Sequence, residues 1–209
     1  MSQITTGLRK VLSYPWVYDL LQNIMGAKSF RKKFVLNYLD SDKTIRILDI
    51  GCGTARILDL LSNVEYVGFD LSEQYIAEAK QRYRYHGKGT FHCALVTETN
   101  VSNYEKFDVV LALGLMHHLS DEEVKALAQL AKCALKTTGK LITVDPAYSP
   151  SQNFISRYLV SKDRGQNVRD EGGYTALLKE KFQTVNSIVS HQKWVPYTHC
   201  IIVSQNENV

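Results

Sequence analysis

Two glycines and two aspartates in the first half of the chain could together hold a ribose-containing ligand. Gly51 and Gly53 flank a small residue directly after the apolar segment 45–50, so a strand is expected to end there in a tight turn. The amide groups of such a turn, and of a helix that follows it, face whatever binds nearby. Asp49 precedes the turn, and Asp70 ends a second apolar segment about 20 positions further on. An acidic side chain at that distance can grip a ribose diol, so the pattern predicts a site for an adenosine-containing cofactor.

The turn departs from the two other common glycine-rich nucleotide patterns. Arg56 stands where a dinucleotide fingerprint has its third glycine, which argues against a nicotinamide-dependent oxidoreductase. The pattern Gly-x4-Gly-Lys-Ser/Thr, which cradles the phosphates of a nucleoside triphosphate, does not occur in the sequence. Because a lone glycine-rich turn is a weak signal, Asp70 in register carries much of the inference.

Five short segments follow one another in a characteristic order. They are Asp49-Ile50-Gly51-Cys52-Gly53-Thr54-Ala55, Phe69-Asp70-Leu71-Ser72, Phe107-Asp108-Val109-Val110, Met116-His117-His118-Leu119 and the stretch from Leu135 to Leu141. In this order they resemble the landmarks of the class I S-adenosylmethionine-dependent methyltransferases, most closely the small-molecule type with His-His-Leu after the fourth strand. Ala55 replaces the last glycine of the first motif. The resemblance implies that S-adenosylmethionine is the cofactor and that the acceptor atom is an oxygen or a nitrogen.

The resemblance also implies which residues contact the cofactor. Asp70 would bind the ribose, and Leu71 would pack on the adenine. The backbone of residues 112–115 would approach the cofactor's amino group. The full set is Asp49, Gly51, Cys52, Gly53, Asp70, Leu71, Thr97, Leu113 and Tyr18. An acidic residue that the family usually has after the third strand, near the adenine amino group, is missing, and Thr97, Glu98 or a backbone carbonyl would take its place. Two of these cofactor contacts have a structural alternative. Asp70 could instead cap the following helix, and Asp49 could instead only stabilise the turn.

Three residues are candidates for a general base: His117, His118 and Asp145. A histidine has a pKa suited to that work, and a base is needed only if the acceptor is a hydroxyl or a protonated amine. The alternative is that both histidines are structural or only touch the cofactor. No third ligand at a readable spacing accompanies them, so no metal site is predicted.

Strand and helix patterns alternate along the chain, which predicts an α/β fold. The resemblance makes this a Rossmann-like, seven-stranded, mostly parallel sheet with helices on both faces, an antiparallel last strand and an N-terminal helical cap. Ser120 and Glu123 form a capping box, and Gly139 is expected to close the helix that they begin. The predicted strands are 45–50, 66–70, 90–96, 108–113, 141–145, 184–190 and 199–204, and the predicted helices are 13–39, 54–61, 72–85, 120–135 and 174–182.

A single domain over residues 1–209 is expected, with a helical cap at 1–40 and a substrate-shaping insertion at 146–170. The insertion combines aromatic and basic side chains, which favours a small-molecule acceptor with a planar or apolar part and an anionic group. Its aromatic and basic residues are Tyr148, Phe154, Arg157, Tyr158, Lys162, Arg164 and Arg169. Tyr18 in the cap resembles a residue that several relatives place near the cofactor.

Composition favours a cytoplasmic protein without a membrane span. The chain is 44% apolar, and it contains neither an apolar run of about 20 residues nor a signal-peptide pattern. Its four cysteines are scattered, so reduced and mostly buried thiols are expected. A net charge of +4 does not require nucleic acid.

Two rival functions remain open at this point. An RNA or nucleoside methyltransferase would use the basic runs at 31–33 and 80–84, which are otherwise exposed helix faces. A non-catalytic binding module would keep the cofactor pocket as a partner site. The oligomeric state is left open.

Overall fold

The computed structural model describes residues 27–39, 43–85, 87, 89–191 and 197–206. The strands are β1 (Ile45–Ile50), β2 (Val64–Asp70), β3 (Thr90–Cys93), β4 (Phe107–Leu113), β5 (Leu135–Pro146), β6 (Thr184–His191) and β7 (Thr198–Gln205). The α-helices are α1 (Ala27–Tyr38), α2 (Glu73–Tyr83), α3 (Glu98–Val101), α4 (Asp121–Ala134), α5 (Phe154–Ser161) and α6 (Glu171–Lys179), and two 3₁₀ helices span Arg56–Leu60 and Met116–His118.

All seven strands form one sheet in the order β3-β2-β1-β4-β5-β7-β6. The strands β1 to β5 pair in parallel, whereas β7 runs antiparallel to both β5 and β6. The predicted Rossmann-like sheet with an antiparallel last strand is therefore confirmed. The order changes direction between β1 and β4, and ligands of such sheets bind beyond the carboxyl ends of the strands at that position.

The sheet is covered by helices on both faces. Ile47 and Ile142 pack on one face, among side chains from α1, the Arg56–Leu60 helix and α2. Leu48 and Leu141 pack on the other face, among side chains from α3, α4 and α6. Successive residues of a strand point to opposite faces of the sheet. Because helices cover both faces at these strands, the strands appear in the sequence as continuous apolar runs.

Helix α4 begins as predicted but ends differently. The Ser120 side chain accepts a hydrogen bond from the amide of Glu123, and the Glu123 side chain accepts one from the amide of Ser120, so the capping box is confirmed. Gly139 does not close the helix, because β5 begins directly at Leu135. A Cβ on Gly139 would lie 3.0 Å from the carbonyl oxygen of Phe107, so glycine allows a close approach of two strands at this position.

Several other predicted boundaries shift. The predicted helix 54–61 is a 3₁₀ helix, preceded by Ala55 in the left-handed region with a φ of 55°. Strand β3 ends at Cys93 rather than at 96, and β5 is longer than predicted at both ends. Much of the predicted N-terminal helix, including Tyr18, lies outside the described residues.

The segment 146–170 runs beyond the carboxyl end of β5 and contains α5. It returns to the fold at Asp170, which forms an isolated parallel bridge with Tyr148. Within the described ranges, no helix combines the length and the apolar character that crossing a membrane requires.

Candidate functional site

The glycine turn after β1 is fixed to the end of the neighbouring strand. Gly51 and Gly53 both have positive φ, 75° and 54°, a conformation that favours glycine. The amides of Gly51 and Cys52 donate hydrogen bonds of 2.8 and 3.0 Å to the carbonyl oxygen of Phe69 in β2. A Cβ on Gly53 would meet no atom within 4 Å, so open space adjoins the turn on that side.

Asp70 links the turn to the start of α2. Its Oδ2 accepts a 2.9 Å hydrogen bond from the amide of Gly53, and its Oδ1 accepts a 2.8 Å hydrogen bond from the amide of Ser72. Ser72, and not Asp70, is the N-cap of α2, because its hydroxyl accepts from the amide of Tyr75. The half-buried Asp70 carboxylate thus lies at the carboxyl end of β2 beside the glycine turn.

Asp49 is buried beneath the turn, with 2% of its surface exposed. Its Oδ2 accepts a 2.6 Å hydrogen bond from the hydroxyl of Tyr66, whereas its Oδ1 has no partner among the described residues. Burial outweighs that hydrogen bond and raises the pKa of Asp49 to about 7. This buried carboxyl is therefore tied to β2 through Tyr66 and still carries an acceptor atom that has no partner among the described residues.

Four other predicted cofactor residues lie in the turn itself or at and after the carboxyl ends of β2, β3 and β4. Leu71 is 51% exposed directly after Asp70, and the half-buried Leu113 ends β4. Thr97 is exposed and caps α3, accepting a hydrogen bond from the amide of Asn100. Cys52 is half-buried against Gly68, on which a Cβ would come within 2.8 Å of its sulfur, and burial raises the pKa of its thiol, which therefore stays protonated.

His117 lies between two carboxylates. Its Nδ1 is 2.8 Å from Oδ1 of Asp145, and its Nε2 is 3.1 Å from Oδ1 of Asp163. Burial opposes a charge on the ring, but the hydrogen bonds to Asp145 and Asp163 outweigh it and raise the pKa of His117 to about 9. Both ring nitrogens of a charged histidine are donors, so His117 has no free lone pair in this arrangement.

His118 and Asp145 have different surroundings. The His118 ring is tilted by 40° against the His117 ring with the ring centroids 4.0 Å apart, and its buried Nδ1 has no partner among the described residues. Burial and the charge of His117 lower the pKa of His118 to about 4, so this ring is neutral at pH 7. Asp145 is buried, and its Oδ1 accepts from both the amide and the ring of His117. The assignment of one of the three residues as a base stays a prediction.

The insertion closes over His117 from the other side. The amide of Asn167 donates to the carbonyl oxygen of His117, and a Cβ on Gly165 would lie 2.5 Å from that oxygen. Arg169 donates to the carbonyl oxygens of Met116, Leu119 and Asn167 and pairs with Asp121. Arg169 therefore holds the insertion in place rather than facing a ligand.

The sequence interpretation missed four residues of this site. Tyr66 lies in the middle of a strand, and Asp163, Gly165 and Tyr197 lie in irregular segments with no motif around them. Only the sheet order brings Tyr197, immediately before β7, to Asp163, whose Oδ2 accepts a 2.6 Å hydrogen bond from the Tyr197 hydroxyl. A single sequence contains no spacing signal for such a pair.

The cysteines are all free, as predicted, but most of the thiols are not buried. Cys200 is buried, Cys52 is half-buried, and Cys93 and Cys133 are exposed. In the part of the chain that the structure describes, no three His, Cys, Asp or Glu side chains are grouped so that they could hold a metal ion.

Known proteins resemble this chain in sequence and in fold. The family described as "Methyltransferase domain" matches residues 47–139, which include the glycine turn, Asp70 and the two histidines. The ubiquinone biosynthesis O-methyltransferase of Bradyrhizobium diazoefficiens is 34% identical over 103 residues, which are 47% of this chain and 38% of that protein. The tRNA U34 carboxymethyltransferase of Campylobacter hominis is 28% identical over 148 residues, which are 66% of this chain and 49% of that protein.

The fold likeness extends further than the sequence likeness. The magnesium protoporphyrin IX methyltransferase of Synechocystis PCC 6803, solved with bound cofactor, superposes with a TM-score of 0.64 at 16% identity and 95% coverage of each chain. This chain spans less than half the length of the two curated relatives described above. Taken with the sheet order, these matches show that the chain is similar to the class I S-adenosylmethionine-dependent methyltransferases in sequence over residues 47–139 and in fold.

Proposed function

We propose that this protein transfers a methyl group from S-adenosylmethionine to an oxygen or nitrogen atom of a small-molecule acceptor. The observation that carries the proposal is the pairing of the Gly53 amide with the Asp70 carboxylate beside open space at the switch in strand order. A cytoplasmic location goes with this proposal and is supported by the four free thiols.

The residues around the turn fit this cofactor. Asp70 would accept hydrogen bonds from the ribose hydroxyls, because each of its carboxylate oxygens has further acceptor capacity beyond the one backbone amide it binds. Gly51, Cys52 and Gly53 would contact the methionine end through their backbone, above the unused Oδ1 of Asp49. Leu71 and Thr97 would border the adenine, and the backbone of Leu113 would approach the cofactor's amino group.

The methyl transfer requires the protein to align the acceptor atom with the methyl group more than to activate the methyl group. When bound, the cofactor supplies a methyl group that its positive sulfur already activates. The chain's own part is to hold the acceptor atom in line with that methyl group and to exclude water, which can contribute several kcal/mol to lowering the barrier. Where the acceptor must lose a proton, His118 is the residue that we assign to take it, because its ring is neutral at pH 7 and is not held between carboxylates.

The insertion 146–170 is proposed to shape the acceptor pocket. Phe154 and Tyr158 on α5 are among its most exposed residues, and Arg157 and Lys162 lie over the rings of Tyr148 and Tyr158. Exposed aromatic rings beside cations suit an acceptor with a planar or apolar part and an anionic group.

An RNA acceptor is the second candidate. The similarity to a tRNA U34 carboxymethyltransferase over 148 residues favours it, as does the net charge of +4. RNA binding that weakens steeply with salt concentration would support this alternative.

Methyl transfer from radiolabelled cofactor tests these functions directly. The full chain is incubated with pools of small phenols, carboxylic acids and amines, and in parallel with total tRNA, and the labelled fraction is identified. Labelling of a small molecule supports the proposal, and labelling of RNA alone moves the assignment to the second candidate. Cofactor binding without transfer to any pool would favour a non-catalytic module instead. The Asp70→Ala variant is the control for site-dependent transfer.

A further inference from the structure

We propose that His117, held between Asp145 and Asp163, is a clamp that fastens the segment 163–167 over the acceptor side of the site, with Asp163 and Gly165 as its positioning partners. The clamp itself rests on geometry alone, and its effect on the acceptor rests on the proposed function.

The clamp joins three separate parts of the fold. Asp145 lies in the buried carboxyl end of β5, His117 lies in the 3₁₀ helix after β4, and Asp163 lies in the insertion after α5. Two hydrogen bonds, of 2.8 and 3.1 Å, run from one imidazole to two carboxylates. A charge-assisted pair on each nitrogen fixes both the orientation of the ring and the position of the insertion.

Asp163 is itself held by groups other than His117. Its Oδ1 accepts a 2.8 Å hydrogen bond from the amide of Gly165, and its Oδ2 accepts from Tyr197. Although burial acts in the opposite direction, His117 and these donors hold the pKa of Asp163 well below its usual range. The carboxylate therefore stays charged, and its hydrogen bonds favour a single conformation of the segment 163–167.

Gly165 fits against His117 so closely that a side chain has no room. A Cβ there would lie 2.5 Å from the carbonyl oxygen of His117 and 2.9 Å from its ring carbon Cγ. Next to it, the amide of Asn167 donates to the same carbonyl oxygen. The segment thus packs its backbone directly on His117, and a methyl group at position 165 must displace it.

The clamp lies beside the cofactor turn. The His117 Cε1 is 3.9 Å from where a Cβ on Gly114 would be, and Gly114 is the exposed residue with positive φ directly after β4. Leu115, two residues before His117, packs against Gly51. Gly114 and Leu115 therefore connect His117, on which the segment packs, to the turn beside which an acceptor would meet the methyl group.

The titratable and charged groups that surround the His117 ring are Asp145, Asp163, His118, His199 and Arg164. Burial lowers the pKa of His199 to about 4, so like His118 it is neutral at pH 7. Among the described residues, Asp145 and Asp163 are the groups that balance the charge on His117, and removing one of them should release the proton more easily.

Nuclear magnetic resonance of ¹⁵N-histidine-labelled protein tests the clamp without requiring any activity. His117→Asn assigns the ring signals of His117 among the six histidines. Both nitrogens should be protonated at pH 7.5, and Asp163→Asn should lower the pKa of His117 by about one to three units. A wild-type His117 that titrates near its ordinary value of 6.5, or an unchanged titration in Asp163→Asn, overturns the clamp.

Trypsin provides a second measurement, because Lys162 and Arg164 flank Asp163. We expect cleavage at these two residues to be several-fold faster in Asp163→Asn and in Gly165→Ala than in the wild type. Two variants are the matched controls. Gly172→Ala changes a helical glycine at which a Cβ would meet Asp170 only at 3.6 Å. Glu122→Gln changes an exposed ion pair on α4. If Gly165→Ala fails to fold, Asp163→Asn decides, and unchanged cleavage in a folded Asp163→Asn variant overturns the proposal.

Kinetics separate the clamp from the proposed function. With an accepted substrate, Asp163→Asn should raise the acceptor KM while leaving cofactor affinity unchanged, because Asp163 does not touch the glycine turn. Altered titration and proteolysis with an unchanged acceptor KM would leave the clamp standing and refute its role in positioning the acceptor.

Discussion

The amide nitrogen of Gly53 lies 2.9 Å from Oδ2 of Asp70, so one charge-assisted hydrogen bond ties the turn after β1 to the end of β2. The other oxygen of the same carboxylate holds the amide of Ser72 at the start of α2. Asp70 therefore shapes the cofactor site before any ligand arrives, and its substitution should affect ligand binding more than the distant core.

Asp49→Asn should stabilise the protein at pH 8. The pKa of Asp49 in the folded chain, about 7, lies above the unfolded value of 3.8, so the folded state binds the proton more tightly. Wild-type stability therefore falls as the pH rises from about 4 to about 7, and the variant lacks that loss. We expect its free energy of unfolding to exceed the wild-type value by about 1–3 kcal/mol at pH 8.

Denaturant titrations at pH 5 and pH 8 measure this difference, with the exposed Asp59→Asn as control. The advantage of Asp49→Asn should shrink at pH 5. If Asp49→Asn is no more stable than the wild type at pH 8, or if its stability advantage grows as the pH falls, burial does not raise the pKa of Asp49 as assigned.

The pH dependence of kcat should distinguish the two histidines. A general base must be unprotonated, so His118, with its pKa of about 4, predicts a rate that is flat between pH 6 and pH 8. A base at His117, with its pKa of about 9, would instead make the rate climb throughout that range. For an acceptor that must lose a proton, His118→Ala should lower kcat by about 100-fold or more, whereas His191→Ala, whose ring contacts Ser151 and Thr198, should not.

Arg169→Lys should destabilise the fold by about 1–3 kcal/mol, because a lysine cannot reach three carbonyl oxygens and Asp121 at once. Differential scanning calorimetry measures the drop in Tm. Arg157→Lys is the matched control, since Arg157 is exposed and lies only over the Tyr148 ring. Equal Tm values for Arg169→Lys and wild type would contradict the role of Arg169 as an anchor of the insertion.

The centre of the sheet was predictable because β1, β2 and β4 are largely buried on both faces and carry continuous apolar runs. The capping box at Ser120 was readable because its signal is local, four residues long and independent of the rest of the fold. The end of α4 was not readable from the sequence, since Gly139 serves a close approach to Phe107, which is distant in sequence. Likewise, Ala55 in the left-handed region shortens the predicted helix 54–61 into a 3₁₀ turn.

The candidate site was predictable where its residues lie at the end of a strand with a recognisable motif. It was not predictable where residues from several distant segments meet. Gly51, Gly53 and Asp70 lie at strand ends, at a spacing that the chain itself displays. His117 was marked as a candidate base, but its protonation depends on Asp163, 46 positions away along the sequence. Only the fold brings the second carboxylate to the ring.

Calorimetric titration of S-adenosylmethionine into the wild type and into Asp70→Ala tests the central assignment most directly. We predict one binding site in the wild type and a Kd about 10- to 100-fold higher in the variant, because hydrogen bonds to a charged group contribute about 1.5–3 kcal/mol. Asp59→Asn should bind as the wild type does. Equal affinity in Asp70→Ala, or no binding to the wild type, would contradict the placement of the cofactor at Gly51, Gly53 and Asp70.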